Sequence, residues 1–241
     1  MRDFITCLEF LTRVRFSKRT DWRDEDFSRS VPYFPLVGLV IGSLLAAVNY
    51  SLFYIETPLF LRVTLLLLAE IIITGGLMYD GFMDTADGVF SARSRERMKD
   101  SHVGSNAVLA IIILLLLKIA AYLELSGETL TWVLLTMSVA TRTFMVVFIV
   151  NFPYARKEGI GHMFTKYAKP FYTYIAFAVC AGIIAACGLQ YLAVAGICFT
   201  VTLIIAQYLK TQLGGLTGDT YGALTECGNV IYLLTAVFLL R

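Results

Sequence analysis

The sequence predicts an all-α protein, a polytopic integral membrane helix bundle of about seven transmembrane helices with a cytoplasmic N-terminus. Three observations predict it: an apolar composition, seven apolar stretches near bilayer-spanning length, and basic residues concentrated in alternate connections. Hydrophobic residues make up 58% of the 241 positions and charged residues 16%, against roughly 45–50% and about 25% in soluble domains. A net charge of +2 is too balanced for a nucleic-acid binder, so the lipid bilayer is the expected partner and nucleic acid is not. Cys7, Cys180, Cys187, Cys198 and Cys227 form no C-x-x-C pair, and disulfides are not expected. Asp3 and Glu9 interrupt the N-terminal apolar run, which also lacks a small-residue cleavage site, so it does not read as a signal peptide.

Taken in order, residues 1–30 form a cytoplasmic or interfacial amphipathic segment. Phe4, Leu8, Leu11 and Val14 fall on one helical face, which suits either the membrane interface or packing against the protein. Residues 31–241 form one transmembrane domain, with no linker or composition shift to split it. A spanning helix needs about 20 apolar residues, and seven stretches qualify: Val31–Ile55, Pro58–Tyr79, Val103–Leu125, Leu130–Val150, Pro170–Gly188, Leu189–Leu209 and Ala223–Leu240. The orientation follows from the basic residues, because Lys and Arg are enriched in loops kept in the cytoplasm. Seven lie before the first span, four between Arg93 and Lys99, four between Arg156 and Lys169, and Lys210 follows the sixth, sixteen of the twenty in all. The N-terminus is therefore expected inside, the C-terminus outside, and the long polar loops on one face.

The densest polar chemistry is Gly75-Gly76-Leu-Met-Tyr-Asp80-Gly-Phe-Met-Asp84-Thr-Ala-Asp87-Gly88. Spacings of four and three place Asp80, Asp84 and Asp87 on one helical face at successive turns. Three like charges repel there unless a cation neutralises them. Oxygen-only ligands favour a hard divalent ion, and Mg²⁺ (with Mn²⁺ as an alternative) takes one or two carboxylates beside water and substrate phosphate. The bland alternative is a solvated helix end whose acids pair with Arg93, Arg95 and Arg97; the alternation with apolar residues and the flanking glycines favour the metal. Lys99 and Ser101 stand before the third span, where a charge, a hydroxyl and free backbone N–H groups suit a phosphate. Asn151 to Gly161, with Arg156, and Leu213 to Glu226, with Gly218 and Asp219, bring two more polar clusters to the same face. Arg142, Glu70, Lys118 and Asn49 lie at membrane depth, where ionisable groups face a partner or a cavity. Arg142 either binds a phosphate from below or pairs with Glu70.

On these residues the chain resembles the cobalamin synthase family, the adenosylcobinamide-GDP ribazoletransferases. Gly75 to Gly88 is similar to that family's G-G-x-x-x-D-G-x-x-D-T-A-D-G signature, Lys99-Asp100-Ser101 to its K-D-S element, and Tyr154-Ala155-Arg156 to its Y-A-R element. Gly214 to Glu226 is similar to its G-G-x-T-G-D-x-x-G-A-x-x-E element, and Phe34 to Gly38 to its F-P-L-V-G run, so the likeness covers nearly the whole chain. One departure stands out: Arg97-Met98 runs straight into Lys99, where family members carry about one more helical turn, roughly 5–6 Å of rise.

The resemblance implies a multi-pass enzyme of the bacterial inner membrane with its active face in the cytoplasm, acting late in cobalamin assembly. It would use Mg²⁺ to join adenosylcobinamide-GDP to α-ribazole or α-ribazole 5′-phosphate with release of GMP. Asp80, Asp84 and Asp87 are then the metal-binding and catalytic set, with Lys99 and Asp100 also catalytic. Ser101, His102, Arg142, Arg156, Gly218, Asp219 and Glu226 bind substrate, and Asp87 is the suggested proton acceptor. A homo-oligomer or a complex with other cobalamin-assembly enzymes is left open. The competing readings are a CDP-alcohol phosphotransferase, of whose motif only Ala92-Arg93 gives a hint, and a divalent-cation transporter, which places its site near the midplane rather than at helix ends.

Overall fold

The computed structural model describes residues 2–15, 23–90, 103–125, 127–156 and 159–240. The elements are helical: α1 (Arg2–Leu11), α2 (Asp24–Ser30), a 3-10 turn (Val31–Tyr33), α3 (Phe34–Tyr54), α4 (Leu59–Thr74), α5 (Leu77–Phe90) and α6 (Ser105–Glu124). There follow α7 (Gly127–Asn151), α8 (Ile160–Lys166), α9 (Phe171–Cys187), α10 (Leu189–Leu213) and α11 (Gly218–Leu240). Among the described residues five helices are long and apolar enough to cross a membrane, and the bent pair α4–α5 would make a sixth. α9 is apolar but 17 residues long, so the expected seven is reached only by counting it as well. Phe53, Phe60, Ile72, Leu109, Ile113, Ile204 and Phe238 are exposed on the bundle surface, as suits a protein whose solvent is lipid.

α7 is the central helix, buried over nearly its whole length. α3 lies against it where Gly38 and Gly42 meet the backbone at Ser138 and Leu135; a Cβ at either glycine would overlap those atoms. Such small-residue contacts let helices pack closely without a hydrophobic driving force between them. The hydroxyls that α7 buries turn back on the helix: Thr136 donates to Trp132 O at 2.8 Å, Ser138 to Leu134 O at 2.9 Å and Thr143 to Val139 O at 2.8 Å. Each polar group is thereby satisfied where water is absent. Asn49 finds its partners across the same interface, donating to Gly127 O at 2.9 Å and Thr131 Oγ1 at 2.8 Å.

α1 packs against the bundle, burying Cys7, Leu8 and Leu11. Phe10, Phe27, Phe34 and Phe164 form an aromatic cluster with centroids 4.8–6.2 Å apart, and Ser28 bonds Met163 O at 2.6 Å. The N-terminal segment and α8 thus form one cap over α3.

The second expected span, Pro58–Tyr79, is not one helix. α4 stops at Thr74, Gly75 and Gly76 adopt φ of +69° and +73°, and α5 leaves at 93° to α4. Glycine takes this left-handed conformation without a Cβ penalty and commonly ends helices with it. The last span begins at Gly218 rather than Ala223, because Thr217 and Thr220 cap it reciprocally. The Thr217 N–H donates to Thr220 Oγ1 at 2.7 Å, and the Thr220 N–H to Thr217 Oγ1 at 3.2 Å, a capping box that starts the helix five residues early.

Candidate functional site

The site is assembled at a three-way junction of α5, α11 and the loop after α7. α5 crosses α11 where Gly81 faces Asp219 and Gly222 faces Met78, so closely that a Cβ on Gly81 would lie 2.7 Å from Asp219 O. The loop joins by main-chain pairing: the Ala155 N–H donates to Leu216 O and the Leu216 N–H to Pro153 O, both at 2.8 Å. Gly215, at φ +152°, has no room for a side chain beside Pro153 O. This short parallel bridge fixes Arg156 against Asp219, with Nη2 to Oδ2 at 3.0 Å. The pair is 39% and 26% exposed, wet enough for Arg156 to exchange its partner for a substrate anion.

Beneath that pair a cavity of about 260 Å³ opens, lined by Asp80, Gly81, Tyr154, Arg156, Gly159, Gly161, Gly218, Asp219, Tyr221 and Gly222, with Met145 and Ile149 of α7 among its apolar lining. Burial pushes the pKa of the Tyr154 hydroxyl up, and the Gly218 N–H beside it acts in the opposite direction. Asp80 and Asp84 are exposed on α5. Asp84 feels the like charges of Asp80, Asp219 and Asp87, which Arg156 offsets in part. Among the described residues no three His, Cys, Asp or Glu side chains already converge as a cage. The donors on offer are nonetheless carboxylate oxygens at an open surface, which fits an ion that leaves most of its positions to water and phosphate.

Asp87 stands apart from the other two acids. It is buried at 9% exposure, and its carboxylate accepts the Gly104 N–H through Oδ2 and the Ala107 N–H through Oδ1, the latter at 2.9 Å. A carboxylate bonded to the first turn of a helix satisfies orphan donors and complements the helix dipole, so Asp87 caps α6 from α5. Metal binding or proton transfer at Asp87 would compete with that cap.

Arg142 and Glu226 are not brought to the cavity. Both are buried, at 2% and 1% exposure, because they belong to a charge cluster inside the bundle. Lys118 of α6 is its hub, with Nζ 2.9 Å from Glu70 Oε1, 2.7 Å from Glu226 Oε2 and 2.8 Å from the Tyr79 hydroxyl. Tyr79 in turn donates to Glu70 Oε2 at 3.0 Å. Glu70 thus pairs with Lys118 rather than Arg142, whose Nη1 donates to Thr141 Oγ1 at 3.3 Å while its Nε is without a partner. Arg142 still lies in the field of Glu226 and Glu70. Lys99, Asp100, Ser101 and His102 lie outside the described residues, as do Arg93, Arg95 and Arg97.

Sequence reasoning missed the Lys118 hub and the walls that Tyr154 and Tyr221 supply. For the hub the signal was present: two acids and two bases at membrane depth within one bundle are each too costly to stay unpaired.

A family model described as cobalamin-5-phosphate synthase matches residues 3–237. The adenosylcobinamide-GDP ribazoletransferase of Desulforamulus reducens is 40% identical over 225 residues, covering 91% of this chain and 89% of the relative. Those of Clostridium novyi and an Escherichia coli O17:K52:H18 strain are 35% and 36% identical, covering 97% and 96% of this chain and 96% and 97% of the relatives. No solved structure matches the chain. With the match running over almost its whole length, the chain belongs to the cobalamin-5-phosphate synthase family.

Proposed function

We propose that this protein is an adenosylcobinamide-GDP ribazoletransferase of the bacterial inner membrane, working on the cytoplasmic side on α-ribazole or its 5′-phosphate. The observation that carries the reading is the bridge between the loop after α7 and the start of α11, which sets a cation, Arg156, beside the Asp80–Asp84 face at an open cavity. Phosphoryl transfer asks a protein mainly for position and charge neutralisation, and this junction offers both.

In the proposed reaction the acceptor's ribose hydroxyl oxygen attacks the phosphorus that carries the cobinamide side. A new P–O bond forms, the bond to the GMP oxygen breaks with its electron pair leaving on GMP, and the hydroxyl proton passes to a base. Asp80 and Asp84 would hold Mg²⁺, with Mn²⁺ as an alternative, and the ion when bound supplies charge neutralisation on the diphosphate and its leaving group. Arg156, released from Asp219, orients the diphosphate; Gly218 stands at the start of α11, whose dipole favours an anion; Tyr154 and Tyr221 wall off the apolar side. Lys99, Asp100, Ser101 and His102 are assigned to phosphate and substrate by motif. Asp219, once Arg156 has moved to substrate, is placed to accept the proton in preference to Asp87, whose carboxylate is engaged in capping α6. Arg142 and Glu226 act beneath the site, through the Lys118 cluster.

The test is direct: purified protein in detergent, given adenosylcobinamide-GDP and α-ribazole with and without Mg²⁺, should release GMP only in the presence of the metal. Turnover in excess chelator would remove the metal from the mechanism, and no turnover at all would remove the transferase reading. Cysteine labelling at Arg95, Lys157 and Lys210 should report one cytoplasmic face, and an external label at any of them would break the single-face site.

A further inference from the structure

A second cavity, of about 560 Å³, adjoins Asp80; it lies between the segment after α1 and the α4–α5 elbow and is lined by Arg13, Arg15, Thr74, Gly75 and Gly76. Phe10, Leu77 and Asp80 line this cavity and the one beside Arg156, so they form a shared wall. The two arginines are held there by the fold. The Arg13 N–H donates to Ile73 O at 2.8 Å, and its guanidinium lies over Gly75, where a Cβ would overlap Nε. The Arg15 guanidinium donates to Glu9 O at 2.7 Å. Among the described residues the salt bridges found do not include either arginine. The start of α5 adds the positive end of its dipole to the same space.

Two positioned guanidinium groups without a carboxylate partner among the described residues, in an open cavity, match a phosphate monoester dianion, which accepts charge-assisted bonds from both. We propose that this cavity is the subsite for the 5′-phosphate of the acceptor nucleotide. The inference rests on the transferase reading above: donor diphosphate on the Arg156 side, acceptor phosphate on the Arg13–Arg15 side, and the acceptor hydroxyl meeting the donor at the Asp80 wall. An approach from opposite sides is what an in-line displacement needs. The subsite would make the protein prefer α-ribazole 5′-phosphate over α-ribazole. An anionic phospholipid headgroup carries the same phosphate chemistry, and the test separates the two.

The experiment uses the full chain in detergent without added phospholipid. kcat/KM is measured for α-ribazole 5′-phosphate and for α-ribazole at saturating adenosylcobinamide-GDP, in wild type, Arg15→Gln, Arg13→Gln and Arg13→Lys. The expected result is a preference for the phosphorylated acceptor that falls about tenfold in each Gln variant, the loss of one bond to a charged group, with partial recovery in Arg13→Lys. A wild-type preference ratio in the Gln variants, or a rise confined to the KM of adenosylcobinamide-GDP, would overturn the subsite. So would a defect seen only in nanodiscs containing phosphatidylglycerol, which would assign the arginines to lipid. Among the described residues the Arg15 side chain hydrogen-bonds the main chain at Glu9, so its variant reports on the subsite even where Arg13→Gln disturbs the elbow. Equilibrium binding of the two acceptors without adenosylcobinamide-GDP separates this idea from the transferase reading. Phosphate-dependent binding lost in Arg15→Gln upholds the subsite even in a protein that does not turn over, and equal binding of both acceptors sinks it even in one that does.

Discussion

Replacing Lys118 by Met tests what holds the catalytic face in place. Lys118 is fully buried and its ammonium contacts Glu70, Glu226 and Tyr79 within 2.7–2.9 Å. These partners sit on α4, α11 and α5, so one cation ties three helices to α6. Two acids, Glu70 and Glu226, face two bases, Lys118 and Arg142, and the cluster is formally neutral. Methionine keeps the stem's volume but leaves a net charge of −1, with Arg142 as the sole remaining cation of the four. Breaking a buried ion pair from one side costs about 3–5 kcal/mol, because the carboxylates of Glu70 and Glu226, 3% and 1% exposed, are left without their cation. The change should therefore lower the midpoint of thermal unfolding in detergent sharply. The double variant Glu70→Gln, Lys118→Met should recover part of the loss, because it restores neutrality, with Glu226 left in the field of Arg142. Tyr79 precedes Asp80, and Glu226 lies two turns beyond Asp219 on α11, so residual Lys118→Met protein should also lose kcat more than substrate affinity. A Lys118→Met protein as stable as wild type, or a double variant less stable than the single one, would refute the view that this cluster carries the α5–α11 alignment.

Further outcomes follow from the same geometry. Asp80→Asn and Asp84→Asn should each abolish GMP release and weaken Mg²⁺ binding by titration, whereas Asp87→Asn, which offers an amide to an N–H it formerly accepted, should cost about 0.5–2 kcal/mol of stability as a lost cap; full activity in the Asp80 and Asp84 variants would return that face to a solvated helix end. Arg156→Ala removes an ion pair exposed enough to be worth at most about 1 kcal/mol, so unfolding should barely move while KM for adenosylcobinamide-GDP rises about tenfold or more; a protein that fails to accumulate would mean the Asp219 pair is structural. Gly76→Ala, in open space but at φ +73°, should cost about 1–2 kcal/mol for the left-handed backbone, and Gly75→Ala more, since Arg13 must also move; equal unfolding midpoints for the two would mean Arg13 is not packed on the elbow.

How much of this was legible in the sequence depends on which physical quantity each feature needs. Apolar run length gives depth, and it located α3, α6, α7, α9, α10 and α11 with ends displaced by five residues or fewer. Helical spacing gives one face of one helix, and it grouped Asp80 with Asp84. Neither gives the direction a helix face points in the bundle. That is why Lys118 could not be matched with Glu70 and Glu226, 48 and 108 positions away, and why Asp87 could not be seen to turn toward α6. The loop motifs around Arg156 and Asp219 were visible as strings. Their union was not, because it rests on two main-chain hydrogen bonds to which side-chain identity contributes only the absence of a Cβ at Gly215.

The elbow at Gly75–Gly76 carries the largest consequence of what run length conceals. α4 has 16 residues and α5 has 14; at 1.5 Å per residue, a straight helix through both and the intervening glycines would extend about 48 Å, well past a hydrocarbon core of about 30 Å. Its acidic end would then project from the membrane as a solvated spike, its carboxylates at three successive distances from the bundle. The 93° turn lays that acidic segment against α11 instead, so that Gly81 can meet the backbone at Asp219. Only in that position does Asp80 line both the cavity beside Arg156 and the cavity beside Arg13 and Arg15. Gly75, the first of the two glycines that end α4, also leaves room for Arg13. A sequence that must put charge at the edge of a bilayer has thus placed its most permissive backbone where the helix has to leave the membrane direction, and the donor and acceptor sides of the proposed reaction are separated by the helix that results.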